Sequence, residues 1–157
     1  MKNKDLFFLN KHAGQNNQYF KVYNDGTNIE IYILEECNKE IINDIIFDPI
    51  FSQFDNHLLD IIINRLLGIK KEKEYIRINL ENSTKGPHLV IKLYGRNLTD
   101  KLVITIEDKE IVDMRIAAFG YDKIFVCDKN KNKELTSIEN QIIQLDEMID
   151  AFEKADY

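Results

Sequence analysis

A chain of 157 residues that is 44% hydrophobic and 31% charged, with six Gly and two Pro, is long enough for one buried core and too apolar to be disordered. Its formal net charge of −6 resides in the last twenty-four residues, where Glu134 to Tyr157 hold seven acids against Lys154, while the remainder balances at twenty acids and twenty bases. A field concentrated on one segment steers a basic partner and repels nucleic acid or an anionic membrane.

Usage is dominated by 24 Ile, 17 Lys and 16 Asn against five Ala and four Arg, a bias toward A/T-rich codons that says more about the gene than the activity. The start, Met1 to Asp5, is polar, and the apolar run Leu6 to Leu9 is too short for a signal-peptide core. Asp60, Asn64 and Arg65 interrupt the neighbourhood of Ile61 to Ile63, so no segment reads as a membrane span. Cys37 and Cys127 lie far apart with no Cys-x-x-Cys and no His at ligand spacing, as in a reduced, cytoplasmic protein.

In chain order, Gln18 to Glu35 reads as a β-hairpin. Tyr19 to Tyr23 and Ile29 to Ile33 carry the period of two of a half-buried strand, and Gly26 supplies a reversal between them. Ile41, Ile42, Ile45 and Ile46 fit a short helical stripe that Pro49 ends. Asp48 as N-cap and Pro49 at the first helical position predict a second helix running to Leu67. Its buried face is Phe51, Phe54, Leu58, Ile61, Ile62 and Leu66, and Gly68 is its stop.

Four strand-like runs follow: Tyr75 to Leu80, Leu89 to Tyr94, Leu102 to Ile106 and Ile111 to Ala117. Their connectors, around Gly86-Pro87, Gly95, Thr99-Asp100 and Asp108-Lys109, are too short for parallel crossovers, which predicts an antiparallel meander. Lys123 to Cys127 adds a strand before the solvated loop Asp128 to Lys133. A capping box, Thr136 with Glu139, opens a final amphipathic helix whose stripe is Ile138, Ile142, Leu145, Ile149 and Phe152. The expectation is one α+β domain over residues 1–157: mainly antiparallel sheet, hairpin plus meander, with a central helix and a C-terminal amphipathic helix.

Chemistry-bearing patterns are sparse. His57 shares a polar helical stripe with Gln53, Asp60 and Asn64, and Asp60 is spaced to orient its ring, but no nucleophile accompanies it. His88 reads as a strand-entry residue, and His12 receives no role. Asp100, Glu107 and Lys109 match a loose acid…Glu-x-Lys spacing found in Mg²⁺-dependent nucleases, where two carboxylates hold the metal and the lysine orients water. That pattern also falls where polar turns between strands are expected, and the acidic C-terminus opposes a phosphate backbone. No phosphate loop, nucleophile elbow or metalloprotease helix occurs, so no catalytic residue, metal ligand or cofactor is assigned.

The acids of the last helix remain. Glu139, Asp146, Glu147, Asp150 and Glu153 form the candidate partner-binding set, four of them toward the end where the helix dipole disfavours negative charge. In type, a small acidic α+β chain with one-sided charge resembles the immunity proteins of bacterial contact-dependent inhibition and related polymorphic toxin systems. The resemblance rests on size, acidity and coding bias and assigns no residues. It implies a protein-binding inhibitor of a cognate, basic toxin, with no nucleic-acid or membrane partner. The alternatives are the nuclease and an adaptor or structural protein of a mobile element.

Overall fold

Strict alternation of apolar residues organises this chain, and it does so on one side only. In the computed structural model, which describes residues 8–14, 17–83, 86–95, 100–118 and 121–155, seven strands run in sequence order through one antiparallel sheet. They are β1 (Phe20–Asn24), β2 (Asn28–Leu34), β3 (Lys73–Ser83), β4 (Gly86–Gly95), β5 (Lys101–Glu107), β6 (Glu110–Ala118) and β7 (Tyr121–Val126). The described helices are α1 (Phe8–His12), α2 (Lys39–Ile46), α3 (Asn56–Leu67) and α4 (Ser137–Lys154). The fold is α+β, with the expected hairpin, meander and C-terminal helix. Thr99 of the third connector and Asp156 of the acidic segment lie outside the described residues.

Register turns that alternation into a continuous apolar layer. Val22, Ile31, Ile78, Ile91, Ile104, Met114 and Phe125 stand opposite one another across all seven strands. A parallel row runs Phe20, Ile33, Ile76, Leu93, Leu102 and Ile116. All of these except Phe125 are buried in one core with the inner faces of the four helices. Each buried Ile or Leu contributes roughly 1.5–3 kcal/mol relative to exposure. In β6 the alternation changes phase, so that Ile111 and Met114 both face inward. The register shift opposite Thr105 and Ile106 is the cause, with Val112 as the extra residue of a β-bulge.

The β1–β2 turn is held by side chains. Asn24 Oδ1 accepts from the Gly26 amide at 2.9 Å, Asp25 Oδ1 accepts from Thr27 and Asn28 at 3.0 and 2.7 Å, and Gly26 sits at φ 94°. The β5–β6 turn takes positive φ at two non-glycine residues, Asp108 (50°) and Lys109 (70°).

Three expectations change. The helix predicted from Pro49 to Leu67 is two pieces: a 3-10 turn at Pro49–Phe51 capped by Asp48, then α3 capped by Asp55. The Asp55 carboxylate accepts from the Leu58 amide at 3.0 Å, which makes Asp55 a helix start and not a helix interior. Gly68 does end α3, at an ordinary right-handed φ of −80°. The second change is α1, which was not foreseen. It is anchored by Asp48, a buried carboxylate that accepts from the Leu9 amide at 3.0 Å with one oxygen and from Ile50 with the other.

The third concerns α4. Its capping box is present, and Leu145 and Phe152 are buried, but Ile138, Ile142 and Ile149 are only partly so. The most enclosed positions of its first half are polar. Gln141 Oε1 accepts from the Ile111 amide at 2.8 Å, and the Asn140 amide group donates to the carbonyls of Lys129, Asn132 and Thr136 at 2.9–3.1 Å. Gln141 thereby satisfies an amide that the bulge frees from the ladder.

Two stability outcomes follow from this packing. Leu145→Ala should cost about 2–5 kcal/mol in a denaturant melt, whereas Ile143→Ala, at an exposed site on the same helix, should stay within about 0.5 kcal/mol. Gln141→Leu should cost about 1–3 kcal/mol, because the buried Ile111 N–H loses its acceptor, and amide exchange at Ile111 should accelerate.

Candidate functional site

At 3.6 residues per turn, Glu139, Ile143, Asp146, Glu147 and Asp150 fall within about 100° of arc on α4. All five are exposed. Ile143, 46% exposed, occupies the middle of that arc. The surface is an apolar side chain with carboxylates one turn before it and one to two turns beyond it, and Lys154, exposed in the same arc, closes it at the C-terminal end.

The acids of the set are not equivalent. Glu139 completes the capping box, its Oε1 accepting from the Thr136 amide at 3.0 Å, and those backbone contacts hold its carboxyl below the usual value. Asp146 pairs with Arg65 of α3 at 2.8 Å, and Asp150 with Lys154 at 2.9 Å. Glu153 lies just outside the arc, about 20° past Asp146, and accepts from the Lys70 amide at 2.6 Å, a structural duty. Glu147 makes no hydrogen bond or ion pair among the described residues. Packing of α3 against α4 thus supplies Asp146 with a cation, the next turn of α4 supplies one to Asp150, and Glu147 is left with none among the described residues.

A second acidic centre lies where α4 meets the sheet. Glu110 of β6 accepts from Lys129 Nζ at 2.8 Å and from the Ser137 hydroxyl at 2.9 Å, tying the solvated loop and the start of α4 to β6. Lys129, and secondarily Ser137, hold the Glu110 carboxyl below its ordinary value.

The nuclease pattern does not assemble. Asp100 precedes β5 and Glu107 ends it, about 23 Å apart at 3.3–3.4 Å per residue, too far to share an ion. Asp100 is buried and faces Lys71 at 3.9 Å; Glu107 takes His88 Nδ1 at 3.1 Å. Lys109 lies in the left-handed turn and not on the strand beside Glu107. Among the described residues, no three His, Cys, Asp or Glu side chains converge as a metal site. His57 is not oriented by Asp60, whose carboxylate instead accepts from Asn64 at 2.8 Å. Cys37 and Cys127 are unpaired, and burial pushes each thiol up to about 11.

Sequence reasoning missed one surface. Among the described residues no helix covers the outer face of the sheet. Tyr23, Tyr32, Tyr75 and Tyr94 form a ladder across β1 to β4 there, with ring centroids 5.7, 5.3 and 4.8 Å apart. Arg77 and Lys101 lie over the Tyr94 ring at 5.9 and 5.6 Å. Arg77 stands directly opposite Lys92, a like-charge pair. Beside the ladder is an open concavity of about 500 Å³, bordered by Tyr23, Tyr32, Tyr75, Lys21, Glu30 and Glu74. The tyrosines occupy solvent-phase positions of their strands, a signal present in the sequence, but their adjacency depends on register. Ile143 was also legible, as the second member of an Ile142-Ile143 doublet that a single stripe cannot bury.

Comparison with known protein families, with curated proteins and with solved structures returns no match. No helix among the described residues is long and apolar enough to cross a membrane.

The depressed Glu110 group has a pH signature. A carboxylate whose folded pKa lies below its unfolded value of about 4.3 stabilises above that value and loses the contribution as pH falls through the folded pKa. Glu110→Gln should therefore lower the thermal midpoint at pH 7, and the difference from the parent should shrink steadily below about pH 4.

Proposed function

We propose that this protein is a binding inhibitor of the immunity type, a cytoplasmic chain that neutralises a basic cognate toxin by direct contact through the outward face of α4. One observation carries the reading: Ile143 is exposed at the centre of an arc of Glu139, Asp146, Glu147 and Asp150. Protein interfaces place apolar anchors at the centre and polar groups at the rim. A rim of carboxylates accelerates encounter with a basic partner and excludes acidic ones. An exposed isoleucine on a stable, capped helix has no folding purpose, and the free carboxylate of Glu147 lies one turn beyond it.

The two parts of the surface act on different rates, and this separates them in experiment. With the product of the neighbouring toxin gene as probe, the parent protein should bind and protect cells that express the toxin. Glu147→Lys should lower the association rate roughly 3–10-fold and flatten its salt dependence, with an unchanged or slightly raised thermal midpoint. Ile143→Ser should raise the dissociation rate roughly 10-fold with little change in association. Unchanged kinetics in both variants would remove α4 as the contact surface. A neighbouring gene whose product is neither toxic nor bound would remove the inhibitor reading.

A further inference from the structure

A seven-stranded meander has two edges, and they are finished differently. The β1 edge is engaged at its start and centre: the Phe20 amide donates to Asn17 Oδ1 at 2.8 Å, Ala13 bridges Val22 in parallel, and the Gly14 amide donates to the Val22 carbonyl at 2.9 Å. At β7, among the described residues, every strand pairing comes from β6.

The groups that β7 presents outward follow from one bond. The Cys127 amide donates to the Val112 carbonyl at 3.0 Å, so Cys127, and by alternation Phe125 and Lys123, turn their backbone groups toward β6. Asp122, Ile124, Val126 and Asp128 then point theirs away from it. At Asp128 this edge is closed, because Gln144 of α4 accepts from its amide at 2.8 Å and donates to its carbonyl at 2.7 Å. Among the described residues nothing equivalent reaches Ile124 or Val126.

The side chains repeat the pattern. Asp122 is taken by Arg115 through both carboxylate oxygens at 3.0 and 2.7 Å, and Lys123 lies over the Phe125 ring at 4.5 Å. Ile124 and Val126 are left 63% and 80% exposed, the highest values among the large hydrophobic residues described. An apolar open edge without an outward-facing lysine is the arrangement that soluble chains normally avoid.

We propose that β7 pairs antiparallel with β7 of a second copy about a two-fold axis centred on Phe125. That register sets Ile124 against Val126 of the second copy and Val126 against its Ile124, both as hydrogen-bonded pairs, and adds about four backbone hydrogen bonds. On the opposite face the two Phe125 rings meet at the axis and extend the cores into one layer. The second copy is the occupant because the edge is self-complementary over Ile124 to Val126, where apolar meets apolar; Asp122, which the same register sets against Asp128 of the second copy at each end, is neutralised by Arg115, and Asp128 is held by the Asn130 amide at 2.9 Å. A pairing centred on Lys123 would oppose two lysines, and one centred on Ile124 would set Asp122 against Val126. With the β1 edge engaged, the assembly closes at a dimer.

The contact is small, so the dimer is concentration-dependent, with association in the micromolar range or weaker (about 1 μM or above). Sedimentation equilibrium of the full chain should show a monomer at low concentration and a dimer at about 100 μM and above. Ile124→Lys with Val126→Lys should abolish the dimer, and circular dichroism and the thermal midpoint should stay unchanged because both side chains are exposed. In the parent, amide exchange at Ile124 and Val126 should slow roughly 10-fold or more between dilute and concentrated samples, while Phe125, bonded inward, should not respond. A parent that stays monomeric throughout overturns the proposal and points to a strand from another protein. A dimer that survives the double substitution overturns it equally, since its contact would lie elsewhere.

Discussion

One-sided burial of a seven-stranded sheet is the constraint on which the remaining structure depends. Alternation places isoleucine and leucine on the inner face of β1 to β6, and no two-layer fold is stable until something covers that face. The four helices do so in series, α1 next to β1 and α4 against β6. Every polar group driven into that interface then needs a partner. Asp48, Asn140 and Gln141 are buried polar residues of the described chain, and each satisfies backbone groups that no ladder or helix reaches.

The same constraint leaves two surfaces free. Covering one side of the sheet with helices leaves the outer side for side chains alone, and the tyrosine ladder with Arg77 and Lys101 is the result. Cross-strand aromatic pairs stabilise the face of the sheet that no described helix covers. The outward face of α4 is the other surface, and its acids divide by duty. Glu139 and Glu153 serve the backbone, Asp146 and Asp150 have cations nearby, and Glu147 with Ile143 faces solvent unengaged. Charge on this helix is thus partly architectural and partly available. The inhibitor reading depends only on the available part.

Edges complete the picture. A meander cannot hide its first and last strands among neighbours, and here the N-terminal segment engages β1 while Gln144 closes β7 only at its end. Among the described residues Ile124 and Val126 remain on an unpaired ladder, their side chains alternating onto the sheet face away from the helices. Two association surfaces on one small domain are compatible, since α4 packs across β6 and the β7 edge points past it.

Local patterns were enough to determine the elements. Period-two alternation, the Gly26 reversal, the short connectors and the Thr136–Glu139 capping box each depend on residues within a few positions, so the hairpin, the antiparallel meander and the last helix were legible from the chain, whereas the joining of hairpin to meander through β2 and β3, across α2 and α3, was not. What required tertiary structure were the consequences of distant residues meeting. Asp55 ended an apparent helix that apolar spacing alone would continue. The bulge at Val112 shifted the phase of β6 and so recruited Gln141 into the core. Arg65 reached Asp146 across more than seventy positions, and Asp100 and Glu107, close in sequence to a metal-binding pattern, were carried to opposite ends of one extended strand. Periodicity tells a residue which side of its own element it occupies; only packing decides which other element waits there.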